Sequence, residues 1–135
     1  MRFRGIRGAT TVDANTERAI FEATTAMLRE MVTRNEVDAD DIAGVIFTVT
    51  PDLDAAFPAE AARCTLGWTQ VPLMCSQEIP VPGALPRCVR ALMFVNTTKT
   101  ADEVRHVYLR GAERLRPDLT PADSAAGHDV TNPGV

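Results

Sequence analysis

Lysine is almost absent: of fourteen basic residues only Lys99 is not arginine, and the chain holds just two histidines and three cysteines. Each scarcity removes a class of function. Nowhere do about 18 apolar residues run together, and the opening "MRFRGIRGATTVDANTERAI" interleaves Arg, Gly and Thr where a signal peptide would place an apolar core behind a basic start. The sequence therefore predicts a soluble, cytoplasmic protein with no membrane partner. Cys64, Cys75 and Cys88 are odd in number and match neither CxxC nor a common zinc spacing, so reduced thiols are expected rather than a disulfide framework. A cysteine nucleophile needs a base within reach; His106 is the one candidate, since His128 falls in a polar C-terminal stretch. Two histidines and three scattered thiols offer no i, i+4 or CxxC pair, so no metal and no other cofactor is expected. Formal net charge is −4 and the pI about 5.1, which lacks the basic footprint of phosphate binding along nucleic acid. "GIRGATT" has neither the GxGxxG nor the GxxxxGK[ST] spacing of a phosphate loop.

What is present suits one compact domain: 135 residues, 45% of them apolar. "RFRGIRG" reads as a strand over residues 2–8 ended by Gly8, with Phe3 and the alternating arginines on opposite faces. "NTERAIFEATTAMLREMVTRN" carries Ile20, Thr24, Met27, Leu28 and Met31 at helical spacing, with Asn15 or Thr16 as N-cap and Glu17 in the first turn. After the polar "DADDI", the run "AGVIFTVT" predicts a buried strand over 43–50 that stops at Pro51. Pro58 begins a second helix over 58–66, with Gly67 at its end. "VPLMCSQE" is a third strand, "PVPGALP" is irregular, and "RCVRALMFVN" is a fourth strand whose period of two puts Cys88, Arg90, Leu92 and Phe94 on one face. Thr100 caps a turn, "RHVYL" is a last short strand, and "GAERLRPDL" gives one helical turn stopped by Pro117. From Thr120 onward the composition predicts disorder, so the domain is expected to span 1–119 and the tail 120–135. This order indicates an α/β (α+β) domain, one mixed sheet covered by helices on one face.

Arg90 is the unusual residue. It interrupts an apolar strand face between Cys88 and Leu92, where a fixed charge must meet an anion or acceptors, either a ligand or a buried structural pair with Glu78 or an Asp. Glu78 alone is an exposed carboxylate past a strand end; Arg7 and Arg63 alone are solvated surface charges, and Tyr108 alone an amphipathic core residue. Together, arginines on several elements with a carboxylate, a thiol and a phenol suit a small polyanion held by bidentate contacts.

Five words in order, "RGIRGATTV", "TPDLDAAFPAEAAR", "GWTQVPLMCSQE", "PGALPRCVR" and "VRHVYL" followed by "LRPDL", resemble the monofunctional trimeric chorismate mutases of the mixed α/β, pseudo-barrel class over about residues 2–119. The resemblance implies a homotrimer with active sites between subunits, chorismate as substrate and prephenate as product, in phenylalanine and tyrosine biosynthesis. It implies that Arg90 reaches the ether oxygen, that Glu78 with Cys75 takes the ring hydroxyl, and that Arg7 and Tyr108 bind substrate. Phe57, Arg63, Leu73 and Met74 would wall the cleft, and Leu115 and Arg116 would lie on a segment that closes over it. Glu60, where some members carry lysine, and Met74, where others carry a small polar residue, depart from the pattern at the cleft mouth. The alternative function is a non-catalytic trimeric module that binds an anionic metabolite or a pathway partner.

Overall fold

A computed structural model describes residues 1–115. Five strands and two α-helices alternate: β1 (Arg2–Thr11), α1 (Glu17–Asn35), β2 (Ile42–Val49), α2 (Pro58–Cys64), β3 (Leu73–Gln77), β4 (Cys88–Thr97) and β5 (Val107–Leu109), with 3-10 turns at Ala39–Asp41, Ala101–Glu103 and Arg110–Leu115. The sheet order is β3-β2-β4-β1-β5, with β4 antiparallel to both neighbours and the outer pairs β2–β3 and β1–β5 parallel. This is one mixed sheet with α1 and α2 on one face.

Local chemistry explains the boundaries. Thr16 caps α1, its hydroxyl accepting from Ala19 N at 3.1 Å, and Glu36 ends the helix in the left-handed region at φ 54°. Ile20, Ala23, Met27, Leu28 and Met31 form the buried stripe of α1 and pack on Ile6, Val45, Phe47, Val89, Met93 and Val95 from the sheet. β1 does not stop at Gly8 but continues to Thr11, because β4 and β5 flank it on both sides there and ladder bonds outweigh the glycine. Gly8 is where the sheet meets α1 most closely: an added Cβ would overlap Met31 and lie 3.1 Å from Met27 Cγ. β5 begins only at Val107, two residues later than expected, since the Asn35 amide at the end of α1 takes both backbone groups of Arg105, at 2.7 and 2.8 Å.

The other face of the sheet is open. Phe3, Gly5, Arg7, Ala9 and Thr11 of β1 point there, so Arg7 shares a face with Phe3, opposite Arg2 and Arg4, because three positions separate it from Arg4. Phe3 stacks on Phe94 of β4 at 5.8 Å between ring centroids. Phe3, Ile46 and Met74 are 61%, 40% and 65% exposed, an unusual exposure for apolar residues of a sheet. Among the described residues one end of this face is covered, where Ala112 and Leu115 pack with Tyr108, Ala9 and Cys88 as a second small core. Among the described residues no helix is long and apolar enough to cross a membrane. Arg116, the stop at Pro117, the domain end at 119 and the expected tail all lie outside the described residues.

Candidate active site

Register fixes which side chains meet on the open face. Thr48 of β2 pairs with Ser76 of β3 and with Arg90 of β4, Arg90 pairs with Ala9 of β1, and Ala9 with Tyr108 of β5. Directly paired residues project to the same side, so this row crosses the whole sheet, with Arg90 at its centre. Arg7, paired with Leu92, lies two positions along β1 on the same side, and its N–H donates to Nδ1 of His106 at 3.0 Å.

Arg90 meets Glu78 as it leaves β3. Nε of Arg90 lies 3.3 Å from Glu78 Oε2, close enough for an ion pair but off the line of a hydrogen bond, so this buried N–H has no hydrogen-bonding partner among the described residues. Both side chains are about one-quarter exposed, at 25% and 24%, which leaves the pair sheltered yet reachable. The Thr48 hydroxyl donates to the same Glu78 oxygen at 2.7 Å and so orients the carboxylate. A preset cation with an unused donor is what an incoming anion or ether oxygen requires.

Burial holds the two thiols of the sheet toward the neutral form. Burial pushes Cys88 up to about 11, against a partial opposing pull from the Arg90 cation beside it, so it stays protonated at neutral pH. Burial also raises Cys75, with the Ala59 backbone and Arg63 pulling the other way. The side chain of Cys75 packs on the helix-bearing side of the sheet, away from Arg90 and Glu78, because Met74 and Ser76 take the open face. Its main chain is placed differently. Pro72 O and Glu78 N bond to β2, and alternation along the parallel ladder then turns the Cys75 N–H and C=O outward from the edge of β3.

The residues expected around a ligand therefore fall into two sets. Arg7, Glu78, Arg90, Tyr108, Leu115 and Met74 belong to the open face. Leu73 packs on the main core, Arg63 lies on α2, and Phe57, 65% exposed, lines a concavity with Cys75, Gln77 and Glu60. Glu60 is 4.0 Å from Arg63 and puts a negative charge at that mouth. Sequence reading missed Thr48; the alternation of "VIFTV" around buried Val45 and Phe47 was the signal that put it beside Arg90. Among the described residues no cluster of three or more His, Cys, Asp or Glu is placed to hold a metal ion.

Three comparisons bear on this arrangement. The family model described as chorismate mutase type I matches residues 3–119. A chorismate mutase AroH from Thermus thermophilus is 54% identical over 120 residues, covering 88% of this chain and 98% of the relative. Another from Bacillus subtilis is 44% identical over 120 residues, covering 89% and 94%. A solved chorismate mutase from Clostridium thermocellum superposes with a TM-score of 0.80 at 54% identity, covering 82% of this chain and 97% of that one.

Proposed function

Since the chain belongs to the chorismate mutase type I family and is a chorismate mutase, an isomerase, we propose that catalysis occurs on the open face of the sheet, around Arg90, in a cleft completed by a second copy within a homotrimer. The observation that carries this reading is the quarter-exposed Arg90 with a buried, unmet Nε–H beside a pre-oriented Glu78.

The reaction breaks one C–O bond and forms one C–C bond within a single substrate molecule. It asks for no acid, base, metal or nucleophile, in keeping with thiols held protonated by burial. The protein supplies two things: a compact conformer of the substrate, and a fixed cation where negative charge grows on the ether oxygen as the C–O bond lengthens. Arg90 is that cation. Glu78, steadied by Thr48, accepts from the ring hydroxyl, and the outward main chain of Cys75 lies along the same edge. Arg7 and Tyr108 hold substrate carboxylate from the other side of Arg90, with Leu115 packed against the tyrosine.

The two sets of residues support a cleft shared between copies, as the homotrimer requires. Phe57 and Arg63 sit on the helix-bearing side of their own chain and cannot line its open face, whereas a neighbour can bring them there. Exposed Phe3, Ile46 and Met74 give that neighbour an apolar surface to cover. The enzyme then works in the cytoplasm on the route to phenylalanine and tyrosine.

The test is direct. Purified protein is mixed with chorismate, loss of substrate absorbance is followed, and prephenate is identified by acid conversion to phenylpyruvate, with sedimentation measured on the same sample. Turnover by a trimer that Arg90→Ala abolishes without unfolding is the expected result. Equal turnover by the variant removes the role of Arg90, and an active monomer removes the shared cleft.

A further inference from the structure

We infer that Thr50 and Asp52 are positioning residues for Arg90, acting through a side-chain clasp that fixes where β4 begins. The inference rests on the placement of Arg90 in the active site and adds two residues that touch no reacting atom.

The clasp grows from the word "TPD". Pro51 restricts Thr50 to extended backbone and starts a turn that Leu53 N closes on Thr50 O at 3.0 Å. This turn returns the Asp52 carboxylate toward the start of β4. Its two oxygens accept from Arg87 N at 3.1 and 2.9 Å, and Oδ1 also accepts from the Thr50 hydroxyl at 2.5 Å. The same hydroxyl oxygen accepts from Cys88 N at 2.9 Å, while Thr50 N donates to Cys88 O at 3.1 Å. Arg87 O in turn accepts from Val12 N at 2.8 Å. Every backbone polar group of Arg87 and Cys88 is therefore held, just before the strand reaches Arg90.

Two further facts make this more than an ordinary strand end. Arg87 sits at φ 46°, in the left-handed region that a residue with a Cβ rarely occupies, and the bidentate grip of Asp52 on its N–H offsets that strain. The peptide unit joining Val49 to Thr50 faces two ways: its C=O accepts from Glu78 N at 2.8 Å and its N–H donates to Cys88 O. One rigid plane thus sets the main chain of Glu78 and that of β4 together, and with them the approach of Arg90 to Glu78. If the clasp opens, Arg87 relaxes toward negative φ, the Arg87–Cys88 peptide turns, and Arg90 loses its aim while keeping its charge.

The experiment uses the full-length protein in the chorismate assay. Asp52→Ala is expected to lower kcat at least tenfold with KM changed less than threefold, because Arg90 acts on charge that develops only as the bond breaks. Adding Arg87→Gly, which occupies positive φ without strain, is expected to restore kcat to within threefold of the parent. A smaller fall in kcat, or a fall that Arg87→Gly does not relieve, overturns the inference, and so does a fall matched by an equal loss of folded protein in circular dichroism, which is all that a merely structural role would give. Should Asp52→Ala not fold, Thr50→Val and Thr50→Ser replace it: the serine, which keeps the hydroxyl, must stay near the parent while the valine loses turnover, and equal behaviour overturns the inference. Arg90→Ala is run in parallel. If it leaves turnover intact, the placement of the active site has failed; if it abolishes turnover while Asp52→Ala does not, only the clasp has failed.

Discussion

Replacing Arg90 by lysine keeps the charge and removes the fork, so it asks whether geometry matters beyond sign. In the folded chain Nε faces Glu78 at 3.3 Å, so the carboxylate sets the plane of the guanidinium. A lysine has one compact, strongly hydrated ammonium, which can lie against Glu78 or reach the ether oxygen but not serve both. Loss of one preorganised donor in a water-poor site typically costs ~3–4 kcal/mol, or roughly 10²–10³ in kcat. Stability answers on another scale. The pair is one-quarter exposed on each side, so after solvent screening it is worth at most about 1 kcal/mol to folding, a shift in Tm of no more than about 4 °C. Measuring kcat by chorismate disappearance and Tm by circular dichroism on one preparation separates the two. A kcat within threefold of the parent would show that a point charge suffices, and a Tm loss large enough to unfold the protein in the assay would assign the effect to the fold.

Thr48→Val removes the hydroxyl 2.7 Å from Glu78 Oε2; with a charged acceptor in a partly exposed site the cost is about 1.5 kcal/mol, roughly tenfold in kcat/KM, and an unchanged value would sink the orienting role of Thr48. Gly8→Ala forces a methyl against Met31 and Met27, and since methionine adapts, destabilisation of about 1–2 kcal/mol is expected in a denaturant titration; a variant as stable as the parent would mean the helix moves freely off the sheet. With a disulfide reagent at mildly alkaline pH the exposed Cys64 should react first, Cys75 later and Cys88, 2% exposed and pushed to about 11, last; early labelling of Cys88 would contradict its burial. The Thr100 hydroxyl holds Asp102, and the Thr100 N–H holds Glu103, below their ordinary values of 3.8 and 4.5. Such groups stabilise the folded turn above the unfolded value and lose that support as pH falls through the folded one, so the amide protection factors of Thr100 and Glu103 should fall below pH 4.5, and unchanged protection factors down to about pH 2 would refute the linkage.

How far the sequence could be read depended on whether the information was local. Helix α1 announced itself through Thr16 and its apolar spacing, and the placement of Arg90 on the minority face of β4 followed from period two alone. The side of the sheet taken by Cys75 did not follow, because "VPLMCSQE" has no clear alternation and only pairing with β2 settles its phase. Gly8 and Arg105 misled at strand ends for the same reason: β4 and β5 on either side of β1, and Asn35 at the end of a helix seventy residues away, decide those boundaries. The clasp on Arg87 was equally invisible, since it joins "TPD" to "PRC" across a gap that no sequence window spans.

The order of strands also governs when the proposed site can form at all. β4 is the middle of the sheet and the strand to which both β1 and β2 pair, yet it comes after two-thirds of the chain has been made. Until it arrives, β1 and β2 share no hydrogen-bonded neighbour, so the nascent chain holds helices and unpaired edges but no continuous sheet. The loop-closure entropy of bringing both early strands to β4 falls due together, which makes assembly a single late and non-local event. Arg7 on β1 and Glu78 at the end of β3 are thereby brought to either side of Arg90 only when β4 joins the two halves of the sheet.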